Sequence, residues 1–186
     1  MRMSPRPRLA WDPQTGPLRD AAALVLLYPH ANAWWVPLTV RGSWMRQHTG
    51  QVSLPGGRLA QGESVEEAAL REAHEEVGLS AADVELLGRL TPLPIPVSGH
   101  LLHPVVGVAR SRPQFRLAED EVERLIEAPV RQLLDPGAVQ WQQRVRDRSP
   151  RDEIAVPYFD IDGAHVWGAT AMVLAEFLAI LDGVDL

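Results

Sequence analysis

Three carboxylates crowd the octet REAHEEVG, where Glu72, Glu75 and Glu76 fall within little more than one helical turn. Like charges three or four apart on a helix repel by roughly 0.2–0.5 kcal/mol per pair. Such a cluster is either a solvated acidic face or a set of oxygen donors for a cation. Hard cations such as Mg²⁺ take carboxylates, waters and substrate phosphates as ligands, and two such ions can clamp both sides of a phosphorus centre during displacement. Projected at 100° per residue, Leu70, Ala73 and Val77 gather on a packing side. The three glutamates gather beside it with Ala68 and Ala69, which predicts methyl groups flanking the acidic patch and room above it. Arg71 lies next to Glu75 and is expected to pair with it or with Glu67.

Other residue types narrow the chemistry. The chain has no cysteine, which removes disulfides, thiolate–zinc sites and cysteine nucleophiles. All 18 basic residues are arginine, so there is no Schiff-base or P-loop lysine, and a side chain that holds an anion is arginine or histidine. The net charge of −6 argues against general nucleic-acid binding, which calls for a basic stripe. Ser98 lacks a nucleophile-elbow setting. His100 and His103 have a metal-compatible spacing, but a loop running into a strand sends such residues to opposite faces. In EDEVER, Glu121 and Glu123 are candidate general bases in an otherwise solvated run. Trp34, Trp35, Trp44, Trp141 and Trp167 include candidates to stack on a nucleotide base, and the sequence does not choose among them.

The elements that must position these groups follow from the patterning. Residues 1–17, rich in Pro and Arg, are expected to form an extended lead-in, and 18–186 one domain. AAALVLLY (21–28) suits a buried strand, with WWVPLTVR (34–41) as its hairpin partner. GSWMRQHTGQ reads as a loop, VSL as a short strand and PGGRLAQG as a glycine-rich turn. Ser64 and Glu67 form a capping box that starts a helix, and Gly78 supplies its C-terminal cap. Strands are expected over 83–93 and 101–110, with a proline-rich loop (92–100) between them. Residues 121–130 fit helix or strand, VRQLL (130–134) a short helix, 139–145 and 153–159 two strands, and 168–181 a packed helix. The class is α+β. No apolar run reaches the roughly 18 residues of a membrane helix, and the basic N-terminus lacks the apolar core of a secretory signal. A cytoplasmic protein without membrane contact is expected.

Gly57, Glu63, Arg71, Glu72, Glu75, Glu76 and Gly78, with Ala73 and Leu79 in apolar slots, match the spacing G-x5-E-x7-R-E-U-x-E-E-x-G-U. This is the Nudix box, and the chain resembles Nudix hydrolases, which cleave a nucleoside diphosphate linked to another group. The resemblance implies an α/β/α sandwich, a mixed sheet flanked by helices with a loop–helix–loop catalytic motif. It implies that Glu72, Glu75 and Glu76, with the Gly57 carbonyl, hold Mg²⁺ or Mn²⁺, and that Glu63 and Arg71 orient the helix.

Upstream, LTVRGSWMRQHTGQVSLPGG (38–57) is similar to the stretch preceding the box in the coenzyme A pyrophosphatase branch. Leu38, Thr39, Arg41, Arg46, Gly50, Pro55, Gly56 and Gly57 fall into register, while Gly42 replaces serine, Leu54 replaces phenylalanine and Ala60 replaces aspartate. Residues 121–136 and 165–178 also look like later stretches of that branch. It implies cleavage of CoA or its derivatives to 3′,5′-ADP and 4′-phosphopantetheine, with Arg41, Arg46, His48 and Gly56 at the substrate, and it is compatible with a homodimer. ADP-ribose, a dinucleoside polyphosphate, or a catalytically silent nucleotide-sensing role are the alternatives.

Overall fold

The computed structural model describes Met3, residues 16–42, Trp44, residues 50–146 and 149–182, and Val184; at 146 and 149–152 only the backbone is described. Arg46 and His48 lie outside the described residues, as does most of the expected lead-in. Met3 is an exception within that lead-in and is buried in the larger core cluster.

The centre of the fold is β1 (Arg19–His30). Its apolar run does not alternate with polar residues because both faces are covered. Ala22, Leu24, Leu26 and Tyr28 face one cluster, and Ala23, Val25 and Leu27 face the other. β1 pairs antiparallel with β2 (Ala33–Arg41), and Ala31 and Asn32 at positive φ make the tight turn between them. On its other side β1 runs parallel to β7 (His100–Ala109). The remaining strands of this mixed sheet are β3 (Val52–Ser53), β4 (Gly56–Arg58), β5 (Val84–Arg89), β6 (Leu93–Ile95) and β8 (Val122–Pro129). A separate antiparallel sheet holds β9 (Val139–Arg146), β10 (Ser149–Ile161) and β11 (Ala164–Trp167).

Helix α1 (Val65–Val77) packs on the even-numbered face of β1 through Val65, Ala68, Ala69, Ala73 and Val77. The second sheet and α3 (Gly168–Leu181) close the odd-numbered face through Phe159, Ile161, Val166, Leu174 and Phe177. A short helix, α2 (Val130–Leu134), joins them at the end of β8. The result is the expected α+β sandwich of three layers, and 168–181 is helical as expected.

Several local expectations are revised. Ala68 and Ala69 do not rim an open acidic patch; both are fully buried and let α1 approach β1 closely. The proline-rich loop contains β6, which forms a hairpin with the start of β7. The strand expected over 83–93 is shorter, running from Val84 to Arg89 after a single 3₁₀ turn. The glycine-rich turn contains β4, which pairs with Ala21–Ala23. A side chain at Gly56 would run into the Ala22 carbonyl and Ala23, so glycine is what permits that pairing. The ambiguous 121–130 segment is strand β8 up to Pro129, paired with β2.

Candidate active site

α1 is held at both ends before it presents any chemistry. Ser64 Oγ accepts from the Glu67 amide at 3.2 Å, and Glu67 Oε2 accepts from the Ser64 amide at 2.8 Å, closing the capping box. Gly78 ends the helix in the left-handed region at φ 69°, where a side chain would also meet Arg116. With the helix so fixed, Glu72 and Glu76 face the glycine turn at β4.

Arg71 organises that face. Its Nε donates to Glu63 Oε1 at 2.7 Å, Nη1 to Glu72 Oε1 at 2.7 Å and Glu75 Oε2 at 2.9 Å, and Nη2 to the Arg58 carbonyl at 2.9 Å. The expected partner Glu67 is not among these, because it caps the helix instead. Glu63 in turn accepts from the Ala60 amide at 2.8 Å, so one guanidinium ties the turn to the helix. Hydrogen bonds from Arg71 and Ala60 hold the Glu63 carboxyl below its usual range, while the Arg71 guanidinium is stabilised in its charged form.

The three box carboxylates sit in different surroundings. The Glu75 side chain is 56% exposed and that of Glu72 only 16%. The Glu72 carboxylate lies against the backbone of Gly57, in the space a side chain there would fill. Glu76 is 6% exposed. Thr39 Oγ1 lies 3.5 Å from its Oε2, beside a hydrogen bond from the Gly56 backbone. Burial, then repulsion from Glu72 and Glu121, push its carboxyl up to about 8, with Arg41 and Gly56 opposing.

Glu121 reaches this site because its loop is stitched to the end of α1. The Arg116 amide donates to the Val77 carbonyl and the Ala118 amide to the Glu76 carbonyl, while Gly42 N–H donates to the Glu121 carbonyl. Glu123 stands exposed two residues on, in β8. Arg41, at the end of β2, acts on Glu76 by its charge, and its Nε is buried without a hydrogen-bond partner. The two histidines noted for their spacing are apart in role: His100 accepts from Arg58 Nε, and His103 meets Asp20 Oδ1 at 2.7 Å.

Among the described residues no three acidic or histidine side chains form a ready cation cage. Glu72 and Glu75 are both paired with Arg71. The donor chemistry nevertheless fits a hard divalent cation, since every donor is a carboxylate or carbonyl oxygen. The under-satisfied Glu76 carboxylate, buried against two others, is the kind of group a cation relieves. Sequence reasoning took Thr39 only as part of a matched stretch and missed that it stands against Glu76, with Ser53 Oγ 3.1 Å from its hydroxyl. A buried polar residue in the otherwise apolar β2 was the available signal.

Residues 17–149 match the NUDIX domain family. The chain belongs to the Nudix hydrolase family. This Nudix hydrolase is 37% identical over 148 residues to a protein of Escherichia coli strain SMS-3-5 described as an uncharacterized Nudix hydrolase NudL, spanning 79% of this chain and 74% of that one. It is 34% identical over 159 residues to the protein of the same description from Pectobacterium atrosepticum, spanning 85% and 80%. Among solved structures, the M. smegmatis Nudix hydrolase RenU aligns with a TM-score of 0.63 at 20% identity, over 92% of this chain and 90% of that one. A C. elegans Ap4A hydrolase in a binary complex aligns at 0.59 and 14% identity, over 89% and 99%. These likenesses show a shared Nudix fold. Nudix hydrolases generally require a divalent metal such as Mg²⁺ or Mn²⁺ and act on small nucleotide substrates. No helix among the described residues is long and apolar enough to cross a membrane.

Proposed function

We propose that this Nudix hydrolase cleaves the diphosphate of coenzyme A or an acyl derivative, giving 3′,5′-ADP and 4′-phosphopantetheine or its acyl form. The observation that carries the reading is Arg41, whose buried Nε has no hydrogen-bond partner and whose charge acts on Glu76. CoA carries a 3′-phosphate in addition to its diphosphate, and a guanidinium at the edge of a carboxylate cluster suits the charge that the cluster cannot hold. Arg41 belongs to the L-T-x-R stretch similar to the CoA pyrophosphatase branch, as do Arg46 and His48, which we also assign to the phosphates, and Gly56, which we assign to the backbone that borders the substrate.

Glu72, Glu75 and Glu76, with the Gly57 carbonyl, would hold Mg²⁺ or Mn²⁺. Bound there, the ion supplies charge neutralisation at the diphosphate oxygens. Arg71 keeps Glu72 and Glu75 in place and, through Glu63, fixes the glycine turn against the helix. Thr39 and the Gly56 backbone hold Glu76 from its buried side. To the exposed Glu121, whose charge acts on Glu76, we assign the role of taking a proton from the attacking water. Water oxygen bonds to one phosphorus, the bridging P–O bond breaks, and the bridging oxygen leaves on the other phosphate.

The test is a substrate panel of CoA, acyl-CoA, ADP-ribose and a dinucleoside polyphosphate with Mg²⁺ or Mn²⁺, with products identified by chromatography. Release of 3′,5′-ADP from CoA is expected. Turnover of ADP-ribose alone would overturn the CoA assignment, and thermal stabilisation by nucleotides without any turnover would mark a silent sensor.

A further inference from the structure

We propose that Trp44 is the platform on which the base of the nucleotide stacks, an inference that rests on the nucleotide-substrate reading above. Trp44 is 55% exposed, yet it is held in place on two sides. Its Nε1 donates to the Asp120 carbonyl at 2.8 Å. One side of the indole lies on Gly42, where a side-chain carbon would run into the ring. A large aromatic that is more than half exposed while its ring is fixed has the form of a stacking surface, since every base offers a π-face.

Its place in the fold puts that surface beside residues that act on the carboxylate site. Arg41, three residues earlier, and Glu121, next to the Asp120 that holds the indole, both act on Glu76. Gly42 N–H donates to the Glu121 carbonyl, so the segment bearing Trp44 and the segment bearing Glu121 are joined on both sides of the indole. The other tryptophans of the described residues are engaged elsewhere. Trp34 packs on the larger core cluster, and Trp35 packs on the smaller one while donating to the His30 carbonyl. Trp167 carries the Arg144 guanidinium on its ring at 3.9 Å, and Trp141 belongs to the separate three-stranded sheet.

The inference also explains a departure in the sequence. Glycine at 42 replaces the serine of the similar upstream stretch, a change that looks like the loss of a polar group. Any side chain there would displace the indole, so glycine and tryptophan form one device.

The test titrates wild type, Trp44→Phe and Trp44→Ala with AMP, which has no anhydride to cleave, and with inorganic phosphate, which has no base, in Mg²⁺ buffer by calorimetry. Circular dichroism confirms that the exposed substitution leaves the fold intact. We expect Trp44→Ala to weaken AMP roughly fivefold or more, with phosphate unchanged and Trp44→Phe close to wild type. Unchanged AMP affinity in Trp44→Ala would overturn the proposal, and so would equal losses for AMP and phosphate, which would mark a role in shaping the loop. If CoA is not cleaved but another nucleotide is, the CoA assignment falls while a Trp44-dependent preference for AMP over phosphate still stands.

Discussion

The carboxylate of Glu72 occupies the space that a side chain at Gly57 would fill. The glycine of the turn and the first glutamate of the box are thus one steric unit, and α1 docks with its acid against bare backbone. Gly57→Ala is expected to push Glu72 out of line and lower kcat/KM by roughly 10- to 100-fold, the usual cost of disturbing a supporting group at a metal site. Steady-state kinetics beside a Mg²⁺ titration would check it; unchanged kinetics would show that Glu72 can move freely.

Arg71 makes four connections at once, to Glu63, Glu72, Glu75 and the Arg58 carbonyl. Lysine keeps the charge but cannot reproduce a planar fork. Arg71→Lys should therefore lower activity by about tenfold or more, while thermal stability changes little, because partly exposed ion pairs are worth roughly 0–1 kcal/mol each. A variant that melts far earlier but turns over normally when folded would show the fork to be structural only.

Much of this arrangement was legible in the sequence, for reasons that differ by element. The capping box and Gly78 are local rules, so α1 was bounded correctly from Ser64 to Gly78. The apolar run of β1 revealed a strand covered on both faces. Segment 121–130 stayed ambiguous because its strand character comes from pairing with β2, a contact some 85 residues away in the chain. The same non-locality hid the approach of Glu121 to Glu76, which depends on the Ala118 amide reaching the end of α1. Ala68 and Ala69 were misplaced because a helical projection cannot tell how close the sheet comes.

Glu76 ties stability to pH in the metal-free protein. Its carboxyl is raised in the fold from 4.5 to about 8, so between those values the unfolded chain releases a proton that the folded chain keeps. Stability from this group is therefore intact below about pH 4.5 and declines as pH rises toward 8, by an amount on the order of a few kcal/mol at most. Glu76→Gln stays neutral, so metal-free melting curves should show it equal to wild type near pH 5 and more stable near pH 8. The same variant should lose stabilisation by Mg²⁺ and most turnover. Wild-type rates in Glu76→Gln would refute the ligand role.

A half-buried acid, Glu127, ties β8 to the core of β1. Tyr28, fully buried on β1, donates to Glu127 Oε1 at 2.5 Å, and Arg112 binds the same carboxylate through Nε and Nη2 at 2.7 and 2.8 Å. Burial raises the Tyr28 hydroxyl well above its usual range, and hydrogen bonds from Arg112 and Tyr28 hold Glu127 low. Glu127→Ala leaves the Tyr28 hydroxyl without its acceptor and should cost about 1–3 kcal/mol. Tyr28→Phe leaves the Arg112 pair intact and should cost less, about 1 kcal/mol. Denaturant titration would measure both, and kcat should not follow either change.

Glu121 separates binding from proton transfer. It is exposed, its loop is anchored to α1 through Ala118, and its charge acts on Glu76. If it accepts the proton of the attacking water, Glu121→Gln keeps the size of the side chain while removing the acceptor and the charge that acts on Glu76. The expected result is a fall in kcat of roughly 10²–10⁴-fold with KM nearly unchanged. Glu123→Gln, on the exposed part of β8, should leave kcat within about twofold, inside the effect expected of a surface change away from the chemistry. Equal losses from the two substitutions would assign them to the general field of that segment, and a loss confined to Glu123→Gln would move the base to that residue. Both substitutions remove one negative charge from the same segment, so a loss confined to Glu121→Gln exceeds a general effect of charge there.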